Sequence, residues 1–162
     1  LAKYIPKGEA GSYVSIFQCV IKSKAYTSLS AHAVKLLYDL LAQYNGNNNG
    51  DLSAPFSTMS RDRNWRSKGT LNRAIKELLE AELIEVSRQG GRHKCSLYAV
   101  TFYAIDECKG KLDIKATLTP KSSWRKKDPL PDIKQLQKRK KEKDDATLIK
   151  MIIDRQKLVI SN

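Results

Sequence analysis

Apolar positions recur with two different periods along the chain, and the switch between them outlines the expected fold. From Ser30 to Tyr44, Ala33, Val34, Leu37, Leu41 and Tyr44 follow helical spacing, and Ser30 is placed to accept the free N–H groups of the first turn. Asn45-Gly46 tolerates left-handed geometry and is expected to end that helix. The most regular helix is expected to begin at Ser67 or Thr70. Leu71, Ile75, Leu78 and Leu79 sit at i, i+4, i+7 and i+8 and make one buried stripe. Gly69, Asn72, Arg73 and Lys76 occupy the opposite face, which is therefore basic and amide-bearing. Between these helices, APFSTMSRDR reads as a short helix capped by Ser53, with Phe56 and Met59 facing the core, and NWRSK reads as a turn.

Period two marks the strands. Ser12–Ile16 alternates and is expected as a short strand, followed by a short helix over FQCVIKSKAY with Phe17, Val20 and Ile21 apolar. LIEVSR (83–88) and KCSLYAVTF (94–102) alternate as two strands, with Gly90-Gly91 supplying the positive φ values of a tight hairpin. Arg88, Arg92, His93 and Lys94 cluster at its tip. The fold class this predicts is α+β, mainly helical.

Periodicity stops near residue 118. PKSSWRKKDPLP (120–131) reads as an extended linker, and QKRKKEKDD (137–145) has no apolar residue. Leu148, Ile149, Ile152 and Ile153 then fall on one helical stripe that needs a covering surface. The expected organisation is a domain over 1–118, a basic linker over 119–145 and an amphipathic helix over 146–162 for docking or dimerisation.

Charge narrows the class of partner. With 30 basic and 17 acidic residues the net charge is +13, an excess that attracts polyanions. Of these, 13 basic and 6 acidic residues lie beyond Pro120, so the last segment is the denser in positive charge. Cys19, Cys95 and Cys108 are far apart and make no C-x-x-C pair, which argues for a reducing compartment and for cysteines that pack as small apolar groups. No stretch approaches the ~18 apolar residues of a membrane span. Asn45, Asn47, Asn49 and Gly50 match the start of a calcium loop, but its twelfth position is Phe56 where a bidentate acid is required, which excludes that site.

No nucleophile elbow, phosphate loop, H-E-x-x-H or two-metal acidic cluster is present, and His32 and His93 are too far apart in sequence to suggest acid–base work. A non-enzymatic protein is expected, with no catalytic residue, metal, cofactor, small-molecule substrate or membrane partner, and with a cytoplasmic, nucleoid-associated location. His32 reads as a surface helix residue and Trp65 as a turn residue packed on the core.

Helix, helix, basic-faced helix and a two-stranded hairpin with a positive tip is the order of a winged helix-turn-helix. LSAHAVKLLYDLLAQY followed by SKGTLNRAIKELLEAELIEVSRQGGRHKCSLYAVTF resembles the winged-helix domains of bacterial regulators and of plasmid or phage replication proteins. YIPKGEAGSYVSI, SKAYTSLSAHAVKLLYDL, NGDLSAPFSTM and RQGGRHKCSLYAVTF are similar to small helix-turn-helix proteins carried on mobile elements of proteobacteria. The likeness covers roughly residues 4–118 and leaves the tail aside.

The resemblance implies that Lys68, Thr70, Asn72, Arg73 and Lys76 lie where recognition helices meet double-stranded DNA. Arg73 would then pair with guanine and Asn72 with adenine. Lys68, Lys76 and the turn residues Arg61, Arg63 and Arg66 would hold phosphates, and Arg88, Arg92, His93 and Lys94 would be wing contacts. Lys138, Arg139, Lys140 and Lys141 would add non-specific phosphate contacts. The expected function is sequence-specific DNA binding, in transcription control or replication initiation of a bacterial mobile element. The alternative is a protein-interaction module in which the winged helix and the tail helix recruit an acidic partner, such as a replisome component. RNA is disfavoured because no aromatic-interleaved basic strand is present.

Overall fold

In the computed structural model, which describes residues 11–127, 141, 142 and 144–147, local capping chemistry sets both main helices. Ser30 Oγ accepts from the Ala33 N–H at 3.3 Å and starts α3, Ala31–Leu41. Ser67 Oγ accepts from Thr70 N–H at 3.3 Å and starts α5, Lys68–Glu80. Ahead of α3, the segment expected as one helix is two: α1, Gln18–Ile21, and α2, Lys24–Thr27. Ser23 divides them. Its hydroxyl donates to the Val20 carbonyl at 2.6 Å and accepts from Tyr26 N–H at 3.1 Å, ending one turn and capping the next.

The remaining elements are β1, Leu52–Ser53; α4, Phe56–Arg63; β2, Ile84–Arg88; and β3, Leu97–Val100. The protein is thus α+β, with a small antiparallel sheet of order β1-β3-β2. Leu52 opposes Tyr98, and Ile84 opposes Val100. Leu36, Leu37 and Leu40 of α3 pack with Leu71 and Leu78 of α5 and with Met59, Leu52, Leu83 and Val100 in one buried core.

Several expectations are corrected. Ser12–Ile16 forms no strand: β1 already pairs with β3, and most of this segment is exposed. Ser53 does not cap α4 because it lies in β1, and Pro55 precedes that helix without a side-chain cap. Helix α3 stops at Leu41, before Asn45-Gly46. Neither Gly90 nor Gly91 has a positive φ. Gly90 is required for a different reason: a Cβ there would lie 2.7 Å from the Ser96 backbone nitrogen and hydroxyl, so the two strands approach too closely for any side chain.

The asparagine-rich connection is structural. Asn49 is 0% exposed, and its side-chain amide donates to the carbonyls of Val100, Tyr103 and Ala104 while its Oδ1 accepts from Val100 N–H. One side chain therefore satisfies the backbone where β3 ends. Ser87 is the extra residue of a bulge opposite β3, and its buried hydroxyl donates to the Gly50 carbonyl.

The first compact unit runs to Asp128, past the boundary expected near 118. Residues 119–127, expected as linker, hold Trp124 at 1% exposure. Ser122 N–H donates to the Thr101 carbonyl at 2.8 Å, and Lys121 pairs with Glu85 at 2.6 Å. A single indole buries enough apolar area to anchor an otherwise charged strap, which composition averaged over the run conceals. In the second unit, 129–162, residues 141, 142 and 144–147 are helical and exposed. Lys138, Arg139, Lys140, Leu148, Ile149, Ile152 and Ile153 lie outside the described residues.

Trp124→Ala is expected to cost about 3–5 kcal/mol in urea unfolding, as truncation of a buried aromatic does. A loss under about 0.5 kcal/mol, the range of surface substitutions, would mean the strap is not part of the folded unit. Gly90→Ala should lower the thermal midpoint and Gly91→Ala should not, since nothing lies within 4 Å of a Cβ at Gly91.

Candidate functional site

Asn64 ends α4 with a φ of 56°, and the chain turns through Trp65 and Arg66 into α5. The turn is pinned to α3 from below. Trp65 is buried, and its indole N–H donates to Asp39 Oδ2 at 2.7 Å. Lys35 Nζ binds the same oxygen at 2.6 Å, donates to the Arg63 carbonyl at 2.8 Å and lies 4.9 Å from the Trp65 ring centroid. Trp65 is thus a packing residue with a satisfied polar end. At the start of α3, Ser30 gives its hydroxyl to Glu77 Oε2 at 2.7 Å and its N–H to Glu77 Oε1. Glu77 therefore ties α5 to α3 instead of pairing along its own helix.

With its inner face tied down, α5 turns Lys68, Asn72, Arg73 and Lys76 outward, all exposed, with Thr70 half-buried. Arg73 Nη2 donates to Thr70 Oγ1 at 3.2 Å, and Lys76 reaches Glu80 at 3.7 Å. In α4, Arg61 folds onto Asp62 at 2.7 Å; that hydrogen bond raises the arginine pKa and lowers the aspartate's. Arg63 and Arg66 are exposed. Among the described residues, Arg66, Lys68 and Asn72 have no side-chain partner.

Gly91 and Lys94 exchange backbone hydrogen bonds of 2.9 and 3.3 Å, leaving Arg92-His93 at the apex of a two-residue turn. Arg92, His93 and Lys94 are exposed there. Arg88 stands apart from them: it is half-buried and its guanidinium donates to the Cys95 carbonyl at 3.2 Å, clamping the hairpin. Lys141 lies in the second unit and is exposed.

His32, read from sequence as a surface residue, has a place in the site. It lines a cleft of about 250 Å³ with Lys35, Asn64, Trp65, Arg66, Ser67 and Thr70. Its spacing of three from Lys35, on one polar face of α3, is the only sequence signal that pointed here. A second, polar depression of about 510 Å³ includes Asn45, Asp51, Asp106, Cys108 and Lys111. Lys111 pairs with Asp51 there at 2.6 Å, and burial pushes the Cys108 thiol pKa up, which disfavours a reactive thiolate. Among the described residues no helix is long and apolar enough to cross a membrane.

Asp39→Ala should lower unfolding free energy by about 1–3 kcal/mol, because it strands the buried indole N–H. Asp39→Asn, which keeps an acceptor for Trp65, should lose less. Equal losses from the two variants in urea titrations would show that the carboxylate's hydrogen bond to Trp65 does not hold the turn.

No protein family, curated protein or solved structure matches this chain.

Proposed function

We propose that the unit ending at Asp128 is a winged helix-turn-helix that binds double-stranded DNA sequence-specifically. The observation that carries this reading is the outward row Asn72, Arg73 and Lys76 on α5, a helix tied to α3 through Glu77 and Asp39, beside a hairpin whose apex is Arg92-His93. A single α-helix fits the B-form major groove, and a bidentate Arg or Asn contact there discriminates bases by about 1–3 kcal/mol. Arg73 would read guanine and Asn72 adenine. Lys68, Lys76 and Arg66 would meet phosphates, and Arg92, His93 and Lys94 would serve as the wing on the neighbouring backbone. Arg61, ion-paired to Asp62 at 2.7 Å, and Arg88, half-buried, contribute less. The net charge of +13 supplies the long-range attraction.

The likeness of several segments to helix-turn-helix proteins of mobile elements favours transcription control or replication initiation as the setting. Footprinting separates these: one palindromic site near a promoter marks a regulator, and direct repeats at an origin mark an initiator.

Selection of bound duplexes from a random pool, followed by fluorescence titration, tests the reading. Arg73→Ala and Asn72→Ala should each relax preference at one base position by about 1–3 kcal/mol. Lys76→Ala should weaken all duplexes alike and reduce the salt slope by roughly 1. Unchanged affinity and unchanged preference in all three variants would remove α5 as the reading element.

A further inference from the structure

We infer that the cleft between α3, the turn and α5 is the seat of one DNA backbone phosphate, with His32 and Arg66 as its principal donors. The inference rests on the DNA-binding reading and assigns it an anchor point outside the α5 face.

Chemistry selects the ligand class. The cleft is lined by His32, Lys35, Asn64, Trp65, Arg66, Ser67 and Thr70, with no carboxylate among them. Asp39, which touches two of the lining residues, is already bound by Trp65 and Lys35. Ser67 and Thr70 accept hydrogen bonds within the protein, from Thr70 N–H and from Arg73, but each hydroxyl retains its own proton to give. Arg66 is exposed with no partner among the described residues. A donor-rich, acid-free recess of this kind suits an anion.

Size and surface suit a phosphate group. About 250 Å³ is below the range of about 300–1,000 Å³ typical of small-molecule sites, and sufficient for a phosphate group. Trp65 is 3% exposed, so it presents no free face on which a base could stack. The recess also adjoins the proposed base reader, because Thr70 lines it and receives Arg73's hydrogen bond. A phosphate held there would fix the register of α5 in the groove, so that Arg73 can exchange Thr70 for a base edge.

The test uses the full chain, a selected duplex and a scrambled duplex, titrated by fluorescence anisotropy over a salt series. Arg66→Gln should weaken both duplexes by the same factor and lower the salt slope by roughly 1. His32→Ala should weaken both by a common factor and leave base preference intact. Neutral methylphosphonate linkages, placed one at a time in the selected duplex, should weaken the unsubstituted protein at one position where Arg66→Gln is insensitive. If every position affects the two proteins equally while Arg73→Ala still relaxes preference, the cleft assignment is wrong and the DNA-binding reading stands. If Arg73→Ala, Asn72→Ala and Lys76→Ala are all silent as well, the cleft assignment falls together with α5 as the reading element.

Discussion

Asp39 is an acid on the inner side of α3, and a carboxylate in that position is costly unless its oxygens are occupied. The Trp65 indole N–H and the Lys35 ammonium occupy one of them, and Lys35 also holds the Arg63 carbonyl. The three side chains join the middle of α3 to the turn between α4 and α5. Fixing that turn fixes where α5 starts, and Ser30 with Glu77 fixes it again further along. The two attachments oppose rolling or sliding of the helix on α3 and so hold the outward face of α5 in place.

The same economy governs the sheet. Three short strands cannot close a core by themselves, and side-chain hydrogen bonds to backbone secure two of them. Asn49 fills the backbone valences at the end of β3, and Ser87 fastens the bulge in β2 to the Gly50 carbonyl. Trp124 covers the core from the C-terminal side, flanked by Lys121 on Glu85 and Lys126 on Glu82. Acidic groups are largely consumed in such internal pairs. Some cations are not: Arg66 and Lys68 near the start of α5 and Arg92 and Lys94 at the hairpin tip remain outward and exposed. In the proposed mode of action, affinity comes from these outward cations and discrimination from Asn72 and Arg73.

Helices α3 and α5, a serine cap for each and the exposed face of α5 follow from the sequence alone, because capping and a 3.6-residue period are relations between near neighbours, whereas the expected stripe of α3 left out the buried Leu36, Asp39 and Leu40. Hairpin strands β2 and β3 follow in the same way, though β3 is shorter than its alternating run. What could not be read are features made by distant partners. Leu52 and Ser53 become a strand only by pairing with Tyr98 and Leu97, and two residues carry no alternation to detect. Trp124 looks like part of a charged linker until Thr101 and the core meet it. Gly90 signals a turn in sequence but is needed for the close approach of Ser96.

For the candidate site the division is similar. Sequence periodicity determined that Asn72, Arg73 and Lys76 share an exposed face, since the apolar stripe opposite leaves them nowhere else to point. Only the tertiary structure decided which cations are outward and unengaged. It turned Glu77 to Ser30, folded Arg61 onto Asp62, set Arg88 across the hairpin and brought His32 beside Arg66 and Thr70. A helix's pitch is a local property of the chain. The partner a long charged side chain takes depends on which elements pack against its own, and that is settled only when the core closes.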